Sequence, residues 1–322
     1  MDPNSRYSRN FFALVFREKE LLAENEKKSN LPHYGFVGDY FAVFLSLYFG
    51  KRFDNLGFHL DHGHYRLPNL QAVRPRKSGQ ALPFTPTPRK DLSIPLRLDK
   101  ATLLVPILEK IFAEVKRDIG NDSLHCDLDL AFTAGRFYQQ ALQLYDADPE
   151  FAFLSLVNAG EVLASGLQLG DDDLYDDELK ELLVEIEVKA GQETAQKLKK
   201  RLFQVRRKFT CGLARLLNTA FFEGSESAQD FFRLKPDNIE KHLKAAYDLR
   251  SRFLHVGTRF GNWVSVSHEG AEVMIGEPAY GDPDWKRLIS RIPTLGGLER
   301  IIRFCLLRFM HQRISILHPL LD

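Results

Sequence analysis

Along the chain, the rhythm of hydrophobic and polar positions changes twice. Residues 1 to about 30 hold one short helical pattern, FFALVFREKELLAENEKK, whose apolar beginning gives way to charge. Between residues 31 and 98, aromatic and β-branched runs alternate with turn signals such as LPHYG, LPNL and ALPFTPTPRKD. Pro32, Pro68, Pro75, Pro83, Pro86, Pro88 and Pro95 lie here. Each fixes φ and removes a backbone donor, so long helices are not expected across much of this zone. SIPLRLD reads as a short strand, and the spacing of Pro83, Pro86 and Pro88 as an extended connection near residues 83–95. The richest apolar run, FVGDYFAVFLSLYFG, contains Asp39 and is too short to span a bilayer, so it is expected to be buried.

From residue 99 the period becomes helical. KATLLVPILEKIFAEVKRD has apolar residues three and four apart, with Pro106 as a kink. TAGRFYQQALQLYDAD and PEFAFLSLVNAGEVLASGLQ follow, the latter with Pro149 in its first turn. DDELKELLVEIEVKAGQ and ETAQKLKKRLFQVRRKFTCGLARLLNTAFF come next. KPDNIEKHLKAAYDLRSRFLHVG opens with Asp237 and has Glu240 three residues on, the spacing of a capping box. GGLERIIRFCLLRFMHQRI closes the series. The pattern predicts an all-helical bundle of five or six helices over residues 125–322. A smaller mixed α/β or irregular region, residues 1–120, precedes it.

Composition is that of a globular protein, with 44% hydrophobic and 27% charged residues in 322, which excludes collagen-like, mucin-like and wholly disordered chains. The 25 Phe residues favour aromatic cores or oligomer contacts. Cys126, Cys211 and Cys305 are far apart and odd in number, so they make no disulfide framework and fit a reducing compartment. The polar start, MDPNSRYSRN, lacks a signal-like apolar run, and a cytoplasmic protein with no membrane partner is expected.

The 44 basic and 43 acidic residues nearly cancel, yet they are partitioned. Asp171, Asp172, Asp173, Asp176, Asp177, Glu178, Glu181, Glu185 and Glu187 crowd one stretch. Lys197, Lys199, Lys200, Arg201, Arg206, Arg207, Lys208 and Arg215 crowd the next. Two readings follow: the stretches pair with each other, or the basic one holds phosphates, with Lys200, Arg201, Arg206 and Arg207 as candidate RNA-backbone contacts.

The most informative string is YDLRSRFLHVG, residues 247–257. Ile239, Leu243, Ala246, Leu249 and Phe253 mark its core face, and Arg250, Arg252 and His255 lie near the helix end. Arg250 and His255 are about 7.5 Å of rise and about 140° of turn apart. A helix C-terminus favours basic residues electrostatically, so spacing alone does not require catalysis. Arg250-Ser-Arg-Phe-Leu-His255, together with the earlier helix FAFLSLVNAGEVLAS bearing Glu161, resembles the HEPN superfamily, and especially its ApeA-like branch, over about residues 125–322. Many nuclease members place Asn, Asp or His directly after the Arg, whereas this chain has Ser251.

The resemblance implies a HEPN-like helical bundle and metal-independent RNA cleavage, without a cofactor, in a symmetric homodimer. Arg250 and His255 would be catalytic, with Ser251, Arg252 and Glu161 supporting. Glu161 would either hold Arg250 or stay on a solvated face. Roles in phage defence or growth arrest, set off by a phage-derived or cellular trigger, go with that reading. A non-catalytic nucleotide-binding or protein-interaction module is the alternative.

His59, His62 and His64 lie close together beside Asp61 and are a weak alternative as zinc ligands. No Cys pair or HExxH spacing supports them. On a strand, His62 and His64 would share one face and His59 would take the other. GFVGDY reads as a turn, no phosphate-binding Walker loop is present, and Cys126 beside His125 suggests packing rather than a nucleophile.

Overall fold

The computed structural model describes residues 35–50, 52–55, 60–61, 64–65, 126–145, 147–202, 204–225, 227, 229–265, 270–279 and 281–314. The helical patterns of residues 1–30 and 100–118, the SIPLRLD strand and the connection near 83–95 lie outside the described residues.

A helical bundle organises the C-terminal part. Helix α1, Gly35–Phe49, is followed by a two-residue antiparallel pair, β1 Leu60–Asp61 and β2 His64–Tyr65. Then come α2 Cys126–Leu144, α3 Pro149–Ser165, α4 Asp171–Leu174, α5 Asp177–Ala190, α6 Gln192–Arg201, α7 Val205–Leu216 and α8 Thr219–Glu223. The series ends with α9 Ile239–Val256, α10 Pro283–Ile289 and α11 Leu295–Ile314. GFVGDY, expected to be a turn, forms the first turn of α1 instead. Two glycines weaken a helix only modestly when the following apolar run is buried against neighbours.

The short α2–α3 link makes these helices antiparallel neighbours. Asp148 accepts from Phe151 N at 3.2 Å and Pro149 occupies the first turn, so α3 has both an N-cap and a preset φ. Helix α3 is buried nearly all round, through Phe153, Leu154, Leu156, Val157, Leu163 and others, as befits the helix at the centre. Helices α2, α7 and α11 pack on it, and α1 packs on α2 and α11. Phe44, Phe153, Phe209, Phe221, Phe260 and Phe309 are fully buried or nearly so, which gives the high Phe content a place in the core. Val43, Phe44 and Leu47 of α1 belong to that same core.

The long pattern 193–222 breaks twice. Gln204 takes a left-handed backbone, φ 44°, before α7, and Asn218 accepts from Phe221 N at 3.3 Å to cap α8 separately. Periodicity ran through both breaks because the side chains that make them are compatible with a helix face. Among the described residues the bundle therefore has more pieces than five or six.

Buried charges fasten the bundle where hydrophobic contact cannot. Arg303 of α11 donates to Leu47 O and Tyr48 O, both at 2.7 Å, satisfying carbonyls at the end of α1 that no helical turn can reach. Tyr138 donates to the buried Glu299. Burial pushes the Glu299 carboxyl up, opposed by Arg303, Tyr138 and Arg300. Glu272 accepts from Ser225 Oγ at 3.0 Å, Leu234 N at 2.9 Å and Arg300 Nη1 at 2.8 Å, tying irregular segments to α11.

Gly297 permits that approach: a Cβ there would stand 2.0 Å from Glu272 O. The obstruction is backbone, so a rotamer change cannot relieve it. Gly297→Ala is expected to cost about 1–3 kcal/mol or more by overpacking. A lowered urea midpoint with an unchanged slope would show it, and an unchanged midpoint would refute it.

Candidate functional site

Helix α9 carries the site. Ile239, Leu243, Ala246 and Leu249 are buried at three- and four-residue spacing, which fixes its rotation on the bundle. Its start differs from expectation. Pro236–Asn238 form a 3-10 turn, Asn238 is the N-cap residue without a side-chain cap, and Asp237 lies inside the turn. Its end is sharp, because Gly257 has φ +71° and its N–H returns to Phe253 O at 3.0 Å. A left-handed closing residue favours glycine.

The chemistry-bearing residues divide between two faces. Arg250 lies on the flank turned towards α3, where Nη2 donates to Glu161 Oε2 at 2.8 Å. These side chains are 20% and 16% exposed, so the pair is sheltered but not sealed. Of the two expected roles for Glu161, the geometry displays the one that holds Arg250. Arg250 Nε is buried without an acceptor among the described residues. The guanidinium sits 5.8 Å from the Tyr247 ring centre, and that ring rests against Phe209 of α7. Burial and the Glu161 charge push the Tyr247 phenol up, so it stays protonated at neutral pH.

The second face is a stripe. Asp248, Ser251 and His255 fall at i, i+3 and i+7, one above another on an ideal helix. Ser251 and Arg252 are half-buried, and His255 is exposed in the last turn. On an ideal helix His255 therefore aligns with Ser251, not with Arg250, and among the described residues no hydrogen bond joins the guanidinium to the imidazole. Arg206 of α7 reaches this stripe, with Nη1 3.2 Å from Asp248 Oδ1.

Three residues of the basic strip meet the acidic stretch. Lys199 meets Asp171 at 2.7 Å, Arg215 pairs with Asp173, and Arg207 Nε donates to Asp173 O at 3.0 Å. Arg206, by contrast, turns to α9. Helix positions Lys200 and Arg201 end α6, and their side chains lie outside the described residues.

Sequence reasoning missed Tyr247, Asp248 and Glu150. Asp248 was accessible from the stripe spacing, but its partner comes from 42 positions away. Glu150 is the more consequential omission. It accepts from Arg259 Nε at 2.9 Å, Arg259 Nη2 at 2.6 Å, and Phe260 N and Gly261 N at 2.6 Å each. Burial alone would raise the carboxyl, yet donation from Gly261 N, Arg259 and Phe260 N holds it below its ordinary value. The chain leaving α9 is thereby fastened to the start of α3. Leu254 and Val256 remain 52% and 75% exposed on either side of His255, with Phe151 and Trp263 also exposed.

His59 and His62 lie outside the described residues, as does the side chain of His64 in β2. Among the described residues no group of three His, Cys, Asp or Glu side chains is placed to hold a metal ion. Among them, too, no helix is long and apolar enough to cross a membrane. Compared with family models, curated proteins and solved structures, the chain matches none.

Proposed function

We propose that the chain is a HEPN-like endoribonuclease that cleaves RNA without a metal, as a homodimer whose groove takes residues from both copies. The observation that carries this reading is the end of α9, where Arg250 is anchored by Glu161 and His255 stands exposed beyond it. His255 takes the proton of a ribose 2′-OH as general base. The 2′ oxygen attacks the adjacent phosphorus, the bond to the 5′ oxygen breaks, and that oxygen leaves with a proton from a general acid. The products are a 2′,3′-cyclic phosphate and a 5′-hydroxyl. Arg250 offsets charge growing on the phosphoryl oxygens.

A second copy answers two features of the single chain. Arg250 and His255 diverge by about 140° on α9, so a partner's counterpart completes the pair. Leu254 and Val256 beside His255 provide apolar surface for that contact. Ser251 orients a phosphate, Arg252 and Arg206 bind backbone charge, and Lys200, Arg201 and Arg207 lie on the same basic strip. The reading extends to a cytoplasmic protein acting in phage defence or growth arrest, with a phage-derived or cellular trigger. The alternative, a non-catalytic binding module, draws on the same pair: Arg250 already has a carboxylate partner.

Purified protein incubated with single-stranded RNA and EDTA is expected to generate cyclic phosphate ends. Undiminished cutting by Arg250→Ala would remove the assigned site. No cutting by wild type, with or without lysate from phage-infected cells, would favour the binding module.

A further inference from the structure

The Arg206–Asp248 pair links two features that sequence keeps apart. Arg206 lies in the first turn of α7 and belongs to the basic stretch, whereas Asp248 belongs to the stripe bearing Ser251 and His255. Their side chains are 53% and 34% exposed, so both reach solvent. The neighbours Arg207 and Arg215 face the other way, onto Asp173. One arginine of the basic stretch is thus turned towards α9 by a carboxylate that carries no role in the cleavage chemistry.

We infer that Asp248 is a positioning residue, which holds Arg206 over the stripe of Ser251 and His255 so that its guanidinium grips a phosphodiester of the RNA strand. This rests on the ribonuclease reading and names how the substrate is held. An acidic residue on an RNA-binding face ordinarily weakens binding, because it repels phosphate. Positioning reverses that sign: Asp248 orients a long side chain that otherwise samples many rotamers, and the oriented fork meets phosphate bidentately. A partly exposed ion pair is worth little in stability, so the effect belongs to binding rather than to folding.

The test measures binding of a fluorescein-labelled 2′-O-methyl oligoribonucleotide, which lacks the attacking hydroxyl and stays intact. Arg206→Ala is expected to lower the slope of log affinity against log salt by about one. Asp248→Asn is expected to weaken binding about two- to fivefold, the range of a partly exposed pair. In the Arg206→Ala background the same substitution should do nothing. Tighter or unchanged binding by Asp248→Asn overturns the inference, as does equal weakening in both backgrounds. If wild type neither binds this oligonucleotide nor cuts RNA, the ribonuclease reading falls and takes the inference with it. Cutting by wild type together with the wrong sign for Asp248→Asn overturns the inference alone.

Discussion

Replacing His255 by Ala is expected to slow RNA cleavage about 10²- to 10⁴-fold, the usual worth of a general acid or base. The fold should not register the change. His255 is exposed in the last turn of α9, where surface substitutions stay within about 0.5 kcal/mol. Loss of activity with an unchanged melting temperature would therefore report on chemistry. The same variant tests where the groove lies. In a mixed dimer of Arg250→Ala with His255→Ala, a groove shared between copies leaves one site with both residues intact. A groove confined to one chain leaves each site with one lesion. Mixing two inactive proteins, with time for subunit exchange, is expected to restore cutting. Activity that stays at the level of the separate variants would rule out the shared groove.

What the sequence made legible is what local periodicity encodes. The core face of α9, the first-turn Pro149 and the apolar α11 follow from three- and four-residue spacing. The charge partition between residues 171–187 and 197–215 was also readable, and part of it resolves into the pairs of Asp171 and Asp173 with Lys199 and Arg215. The resolution into pairs was not readable, since it depends on how α4 is laid against α6 and α7. The breaks at Gln204 and Asn218 were hidden because each is decided by backbone conformation at one residue. The burial of Glu150 was hidden for a different reason. A carboxylate in a first helical turn normally means dipole stabilisation at the surface, and only the return of residues 259–261 turns it into a buried acceptor. Within the candidate site, Arg250 and His255 were visible as a spacing. Their divergence followed from that spacing, but the partners on the two faces, Glu161 of α3 for Arg250 and Arg206 of α7 for Asp248, needed three helices in register.

Glu150→Ala carries the largest expected loss of stability, about 3–5 kcal/mol, because it removes two backbone hydrogen bonds to a charged acceptor, worth about 1.5–3 kcal/mol each. The reason is the number of donors left behind. Phe260 N, Gly261 N and the Arg259 fork all converge on this carboxylate, and no water-exposed group replaces it for Phe260 N, whose residue is 1% exposed. The expected fall in melting temperature is on the order of 10 °C. Arg259→Ala separates the contributions. Its side chain is 76% exposed, so the ion pair itself should be worth no more than about 1 kcal/mol. Equal losses in the two variants would mean that the backbone donors contribute nothing. The pH dependence has a definite sign. Glu150 titrates below its ordinary value in the folded chain, so its contribution is complete above the unfolded carboxylate range. That contribution is lost as pH falls through the lowered folded value, and Glu150→Ala should flatten this acid limb. The same anchor sets where the chain goes after His255. Glu150→Ala should therefore also reduce cleavage at temperatures where the bundle is still folded, whereas Gly297→Ala should reduce it only as the bundle melts.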